Sequence, residues 1–203
     1  MTLKDIGGQT LHSKESEKLL GLRINSNLDW KSHIHYLSTT LNQRTALLKR
    51  IKLRVHRESL RIIADAIWNS KLRYGIAVYY TPRLTQQDEI STIQDKLQVL
   101  QNDMLRELFG HKRKDRINMQ KLREEQNILS VNQLACYHIL VETYNILKKN
   151  SSPQIEDRIK TRKNTRYDTR SKEKGDLNII AKPNKNCIGF TYTSAKLWNM
   201  LPE

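Results

Sequence analysis

Apolar residues are densest in the middle of the chain, where Glu58–Tyr80 reads ESLRIIADAIWNSKLRYGIAVYY. Their recurrence at spacings of three and four residues predicts the buried face of a helix. That face consists of Leu60, Ile63, Ala64, Ile67 and Trp68. The apolar character continues to Thr81-Pro82, where proline cannot extend a helix. We therefore predict a central core helix against which the basic helices on either side pack.

The same periodicity predicts three more helices. The first spans about Trp30–Leu53, and the second spans Gln86–Phe109 with Gly110 at its end. The third begins at a capping box, in which Ser130 is followed three residues later by Gln133. Its predicted buried face consists of Leu134, Tyr137, His138, Val141, Tyr144 and Leu147.

Near the N-terminus the pattern favours β-strands instead. Leu3–Ile6 and Gln9–Leu11 flank Gly7-Gly8, a pair typical of a hairpin turn. Leu19–Asn25 alternates between two faces and is predicted as one strand. Asp29 is then a suitable N-cap for the helix that follows.

The last quarter of the chain changes character twice. Asn150–Asn186 is polar with little periodicity, which is typical of a linker or a loosely ordered arm. Apolar residues return in Cys187–Glu203, where alternation predicts a short strand and a last helical turn. The strand carries Ile188, Phe190 and Tyr192, and the turn carries Leu197 and Trp198. We expect this terminal motif to dock onto the main body.

Composition supports a mainly α-helical fold, because only 7 of 203 residues are glycine and 4 are proline, whereas strong helix formers are common. The predicted organisation is a small β-hairpin segment at residues 1–28 and a helical bundle at 29–149. A polar linker or arm at 150–186 and a short C-terminal β/α motif at 187–203 complete it.

Charge narrows the choice of partner. The chain has 36 Lys and Arg against 21 Asp and Glu, a formal net charge of +15, which favours nucleic acid over membrane. Two clusters stand out, one from Arg44 to Arg61 and one from His111 to Arg123. Cations also stabilise a helix C-terminus and keep a surface soluble, so both explanations stay open. The residues predicted to contact phosphates are Arg44, Lys49, Arg50, Lys52, Arg54, Lys112, Arg113 and Lys114.

Catalytic patterns are scarce. No Asp-Asp pair occurs, and two-metal phosphoryl transfer needs carboxylates that converge on two cations. Cys136 and Cys187 form no CxxC motif, which argues against zinc and fits a reducing compartment. No apolar run approaches the roughly 20 residues of a membrane span, and the first residues lack a signal peptide's apolar centre. The residues alone predict an intracellular binder or scaffold, with nucleus and cytoplasm both open.

Five blocks in order resemble one protein family. KLLGLRINSNLDWKSHI (Lys18–Ile34) is similar to the KYLGV-x-ID-x-L-x-W-x-x-HI block of reverse transcriptases from non-LTR retrotransposons of the Jockey type. KLRYGIAVYY (Lys71–Tyr80) resembles that family's YG-containing thumb element, and LQVLQNDMLRELFG (Leu97–Gly110) its LQ-x-x-h-LR-x-h-x-G helix. YDTRS (Tyr167–Ser171) and FTYTSAKLWNMLP (Phe190–Pro202) resemble its Y-x-TR and LWN-x-LP signatures.

The resemblance implies a thumb and post-thumb region that holds a template–primer duplex. It places a primer-grip-like hairpin at Leu19, Leu20 and Gly21, and makes the helical bundle thumb-like. RNA, an RNA–DNA duplex and the missing fingers and palm of the same polyprotein are the implied partners. The catalytic aspartates of the family lie in that missing part, so the chain itself should need no cofactor and should not polymerise alone. The full-length RNA-directed DNA polymerase would use Mg²⁺.

We therefore predict a C-terminal fragment of such a reverse transcriptase, which binds duplex through backbone phosphates. A basic helical protein-interaction module, whose charge only maintains solubility, is the alternative. A nuclear-targeted basic protein is a third hypothesis, because Lys49–Arg54 and Lys112–Lys114 are basic runs.

Overall fold

The computed structural model describes residues 14–27, 29–84, 92–149, 159, 177 and 189–202. These residues are mainly helical, with one two-stranded antiparallel hairpin, which confirms the predicted fold class. The strands are β1 (Ser16–Leu19) and β2 (Leu22–Asn25). The helices are α1 (Lys31–Ile51), α2 (Arg57–Ala64), α3 (Ser70–Arg73), α4 (Ile76–Tyr79), α5 (Thr92–Phe109), α6 (Met119–Glu125), α7 (Val131–Leu147) and α8 (Phe190–Asn199). The strands predicted at Leu3–Ile6 and Gln9–Leu11, and most of the predicted linker, lie outside the described residues.

The hairpin corrects one prediction. Leu19–Asn25 is not a single strand, because Leu20 and Gly21 form a two-residue turn between β1 and β2, with Leu19 paired to Leu22. Both turn residues have positive φ, +47° and +83°, as a type I′ turn requires. The alternation in the sequence is therefore that of two short paired strands.

Helix α1 follows the predicted apolar stripe, and Ile34, Leu37, Leu41 and Leu48 are all buried. The N-cap position is Trp30, one residue later than the predicted Asp29. Asp29 still satisfies the first backbone N–H of the helix, because its Oδ1 accepts a hydrogen bond from Lys31 at 3.1 Å. The helix packs against β2, α2 and the turn that follows α2.

The central segment is helical but not uniform. Residues Asp65–Asn69 form a π-helical turn between α2 and α3, and the backbone N–H of Ser70 bonds to the carbonyl of Asp65. The buried residues Leu60, Ala64, Trp68 and Leu72 are each four apart. Each such step drifts about 40° around an ideal α-helix, and the wider π turn returns the later residues toward the same side.

Helix α5 ends as predicted. Gly110 has a φ of +78°, and the N–H of His111 bonds to the carbonyl of Arg106 at 2.8 Å, the arrangement of a glycine C-cap. Leu97, Leu100 and Met104 are buried along this helix.

Helix α7 begins at the predicted capping box, with Ser130 and Gln133 bonded reciprocally. Its predicted buried face is largely wrong. Leu134 is buried, but Tyr137 and Tyr144 are 55% and 50% exposed. The buried residues are Val131, Leu134, Ala135, Ile139, Thr143 and Ile146. The helix is apolar almost all the way round, so spacing alone did not identify its inner face.

The C-terminal motif is helical, because α8 covers Phe190–Asn199, whereas the sequence predicted a strand through Phe190 and Tyr192. Helix α8 packs against α7. Two residues of the predicted linker, Ile159 and Leu177, are buried in the same cluster as Ile146 and Ala195. The Asn199 side chain bonds both the N–H and the carbonyl of Leu177, at 2.8 and 3.1 Å.

The chain divides into two compact units. The first holds the described residues up to Leu72 together with Asp95–Arg113, and the second holds Arg73–Gln94 together with those from Lys114 onward. The helical segment predicted as one domain at 29–149 is thus divided between them.

Candidate nucleic-acid interface

The first basic cluster lies where α1 ends in the first unit. Lys49 and Arg50 occupy its last turn, and a short loop carries Arg54 before α2 begins. Arg50 and Arg54 are exposed, and within the described part of the chain their side chains form no ion pair or hydrogen bond. The helix dipole favours cations at this end. Two unoccupied guanidinium groups nevertheless remain available to an external anion.

Lys52 is held by an acidic residue. Its Nζ lies 2.6 Å from Oε2 of Glu107 on α5, and Nζ of Lys49 lies 4.0 Å from the other carboxylate oxygen. The Lys52 and Glu107 side chains are 29% and 25% exposed, whereas Lys49 is 67% exposed. Lys49 thus remains accessible, and Lys52 is occupied.

Arg44 has a structural partner. Its guanidinium donates a hydrogen bond to the backbone carbonyl of Ile67 inside the π turn. The next residue on α1, Thr45, accepts a hydrogen bond from the Trp68 indole at 3.1 Å. The predicted phosphate contact of Arg44 therefore competes with an internal bond of the core.

The sequence did not single out Arg57, which begins α2. Its guanidinium carbon lies 5.2 Å from the centre of the Phe109 ring, a cation–π contact at the end of α5. Arg57 is exposed, so the ring orients an accessible cation three residues after Arg54. Only the tertiary packing of α2 and α5 creates this pair.

The second basic cluster begins just after α5. Arg113 makes two hydrogen bonds to the carboxylate of Asp103, whose Oδ1 also accepts from Arg106 at 3.2 Å. The hydrogen bonding of Arg113 to Asp103, followed by the negative charge of that carboxylate, raises the pKa of Arg113. Lys112 also interacts within the structure, and Lys114 is exposed. Lys112 and Arg113 belong to the first unit, and Lys114 belongs to the second.

The predicted primer-grip-like residues form the tip of the hairpin. Leu19 and Leu20 are 59% and 82% exposed, and Gly21 completes the turn. The hairpin is anchored from β2, where the backbone N–H of Arg23 donates to Nδ1 of His33 at 3.3 Å. The tip is thus an exposed apolar pair on a fixed support.

A cationic depression missed at the sequence level lies beside β2. It is lined by Arg23, Lys31, Ser32, His35, Tyr36 and Thr39. The Arg23 guanidinium and the Lys71 ammonium lie 4.6 and 5.3 Å from the centre of the Tyr36 ring. These cations are brought together by the packing of β2 on α1 and by the central segment.

Among the described residues, no group of three or more His, Cys, Asp or Glu side chains is arranged to hold a metal ion. None of the helices in the same residues combines the length and the apolarity that crossing a bilayer requires. No protein-family model, curated protein or solved structure matches the chain.

Proposed function

We propose that the chain binds RNA or RNA–DNA duplex through its backbone phosphates, as the thumb and post-thumb part of a non-LTR retrotransposon reverse transcriptase. The observation that carries the proposal is the exposed, partner-free state of Arg50 and Arg54 at the end of α1, within the described residues. Lys49 and Arg57 extend the same surface in the first unit. A net charge of +15 adds long-range attraction for a polyanion.

This surface would recognise the charged phosphates of the nucleic-acid backbone rather than its base sequence. Arginine and lysine side chains that neutralise phosphates release counterions, so affinity falls with salt and depends little on base sequence. The polymerising aspartates would be supplied by fingers and palm segments of the same polyprotein, and Mg²⁺ would act there. The chain on its own would bind the duplex without extending it.

Charge reversal tests the proposal. The double variant Arg50→Glu, Arg54→Glu should reduce affinity for a short RNA–DNA heteroduplex about fifty-fold and reduce the salt slope by about 2. The measurement is fluorescence anisotropy over a salt series, with scrambled duplexes of equal length. A wild-type chain whose binding is independent of salt would contradict the proposal.

The matched control is Lys18→Glu, Lys96→Glu, which changes net charge equally in the same unit but outside the first basic cluster. Lys18 lies on β1 and Lys96 on α5, and both are exposed without an ion pair in the described residues. The control double variant should lower the affinity for the heteroduplex several-fold at most. Equal losses from both double variants would mean that only net charge matters.

A helical protein-interaction module is the second candidate. The supporting observation is the outward stripe on α7 formed by Tyr137, Val141 and Tyr144, all exposed and spaced at four and three residues. Under this alternative, Arg50→Glu, Arg54→Glu would leave partner binding unchanged. The same double variant therefore separates the two candidates.

A further inference from the structure

Helix α5 presents two carboxylates to the basic clusters of the first unit. Asp103 and Glu107 are four residues apart, so they lie on one face of the helix. Their side chains are 21% and 25% exposed. Each is bonded to cations that the sequence predicts as phosphate contacts, Arg113 in one case and Lys52 in the other.

We propose that Glu107 and Asp103 compete with nucleic-acid phosphates for Lys52 and Arg113, and so limit the duplex footprint to the cations that they leave accessible. This inference rests on the proposed function. A carboxylate offers two oxygens to a guanidinium fork in the way that a phosphate does, so the two ligands exclude one another.

The geometry separates occupied from accessible cations. Arg113 donates from Nε and one terminal nitrogen to both oxygens of Asp103, which occupies one edge of its guanidinium group while the side chain stays 78% exposed. The Lys52 ammonium is 2.6 Å from Glu107 and less than one third exposed. Arg50 and Arg54 have no such acid among the described residues. The two kinds of cation lie in the same unit, so their contributions can be compared directly.

The first test releases a cation. Glu107→Gln in the full chain should strengthen binding of the RNA–DNA heteroduplex about five- to ten-fold and steepen the salt slope by about 1, the effect of one additional phosphate contact. The control is Glu58→Gln, an identical charge change at an exposed residue in the first turn of α2. Glu58 has no ion pair in the described chain, so this control should leave the slope unchanged.

The second test removes a cation and does not depend on the first variant folding. Lys52→Gln and Arg50→Gln each remove one positive charge. If Glu107 already occupies Lys52, the Lys52→Gln substitution should change duplex affinity less than two-fold. The Arg50→Gln substitution should instead lower the affinity about five- to ten-fold and reduce the salt slope by about 1.

Equal slopes for Glu107→Gln and Glu58→Gln, or equal losses for Lys52→Gln and Arg50→Gln, would overturn the competition. These outcomes are distinct from a failure of the proposed function. In that case the wild-type chain would show no salt-dependent binding, and Arg50→Gln would have no effect.

Discussion

Leu20 combines two unfavourable features in one residue. Its φ of +47° costs a leucine on the order of 1 to 2 kcal/mol relative to glycine or asparagine, and its side chain is 82% exposed, so burial does not offset that cost. Asparagine would suit the turn better on stability alone. The primer-grip-like role that the resemblance implies for Leu19, Leu20 and Gly21 would account for a leucine at this tip.

His33 is a buried base in an electropositive setting. It is 2% exposed, and burial, followed by the charges of Lys71 and Arg23, lowers its pKa to about 4. In the unfolded chain the pKa is about 6.5. Between these values the unfolded state binds more protons, so stability is complete above about pH 6.5 and is lost as the pH falls toward 4.

The replacement His33→Asn keeps an acceptor near Nδ1 and removes the titration. The difference in unfolding free energy between pH 7 and pH 4 should shrink by roughly 3 kcal/mol relative to wild type. Urea denaturation across this pH range measures it. His35→Asn, the same substitution at an exposed position of the same helix, is the control. A wild-type profile after His33→Asn would contradict the assignment.

At the scale of elements, apolar spacing located the helices because each buries one face, and the capping residues marked their ends. It failed where the backbone departs from a regular period. A hydrophobic period of 3.6 residues per turn does not reveal the π turn at Asp65–Asn69. The turn at Leu20-Gly21 interrupts an alternation that continues on both sides. On α7 the apolar residues surround the axis, so only tertiary packing selects the inner face.

The π turn gives Arg44 a role distinct from phosphate binding. Arg44→Met should lower the free energy of unfolding by about 1 to 3 kcal/mol, because the Ile67 carbonyl loses a charged donor. The salt slope of duplex binding should stay unchanged. Denaturant titration and fluorescence anisotropy on one sample measure both quantities.

Arg50→Met is the matched comparison on the same helix. Its side chain has no partner in the described residues, so stability should change by less than about 0.5 kcal/mol while the salt slope falls by about 1. If the two variants behaved alike, the separation of structural from binding arginines on α1 would be wrong.

For the whole molecule, the sequence predicted the mainly helical class, but not which cations are accessible. Lys52 and Arg50 are two residues apart, and nothing in their spacing shows that Lys52, and not Arg50, pairs with Glu107, fifty-five positions after Lys52. The sequence could therefore predict the region of the candidate site, but not which of its cationic side chains are accessible. Long-range ion pairs decide the set, and these arise only from packing.

Net charge acts on the fold and on binding in opposite directions. Self-repulsion at +15 destabilises the compact state, and salt screens it. Raising salt from about 0.05 to 0.5 M should raise Tm by several degrees while it weakens duplex binding. Arg50→Glu, Arg54→Glu lowers the net charge by 4, from +15 to +11, so the Tm of this variant should depend less on salt. Differential scanning fluorimetry measures both proteins, and a falling wild-type Tm would contradict the expectation.

The contact between Asn199 and Leu177 has a consequence for which substitutions the second unit tolerates. Asn199 recognises only the main chain of its distant partner, donating to the carbonyl and accepting from the N–H. Position 177 can therefore exchange its leucine for another aliphatic side chain of similar volume and keep both bonds. Position 199 tolerates less change, since an aspartate lacks the amide N–H donor and a leucine lacks both the donor and the acceptor oxygen. In a mutational library selected for folding, we expect several aliphatic residues to be retained at position 177 and only asparagine at position 199.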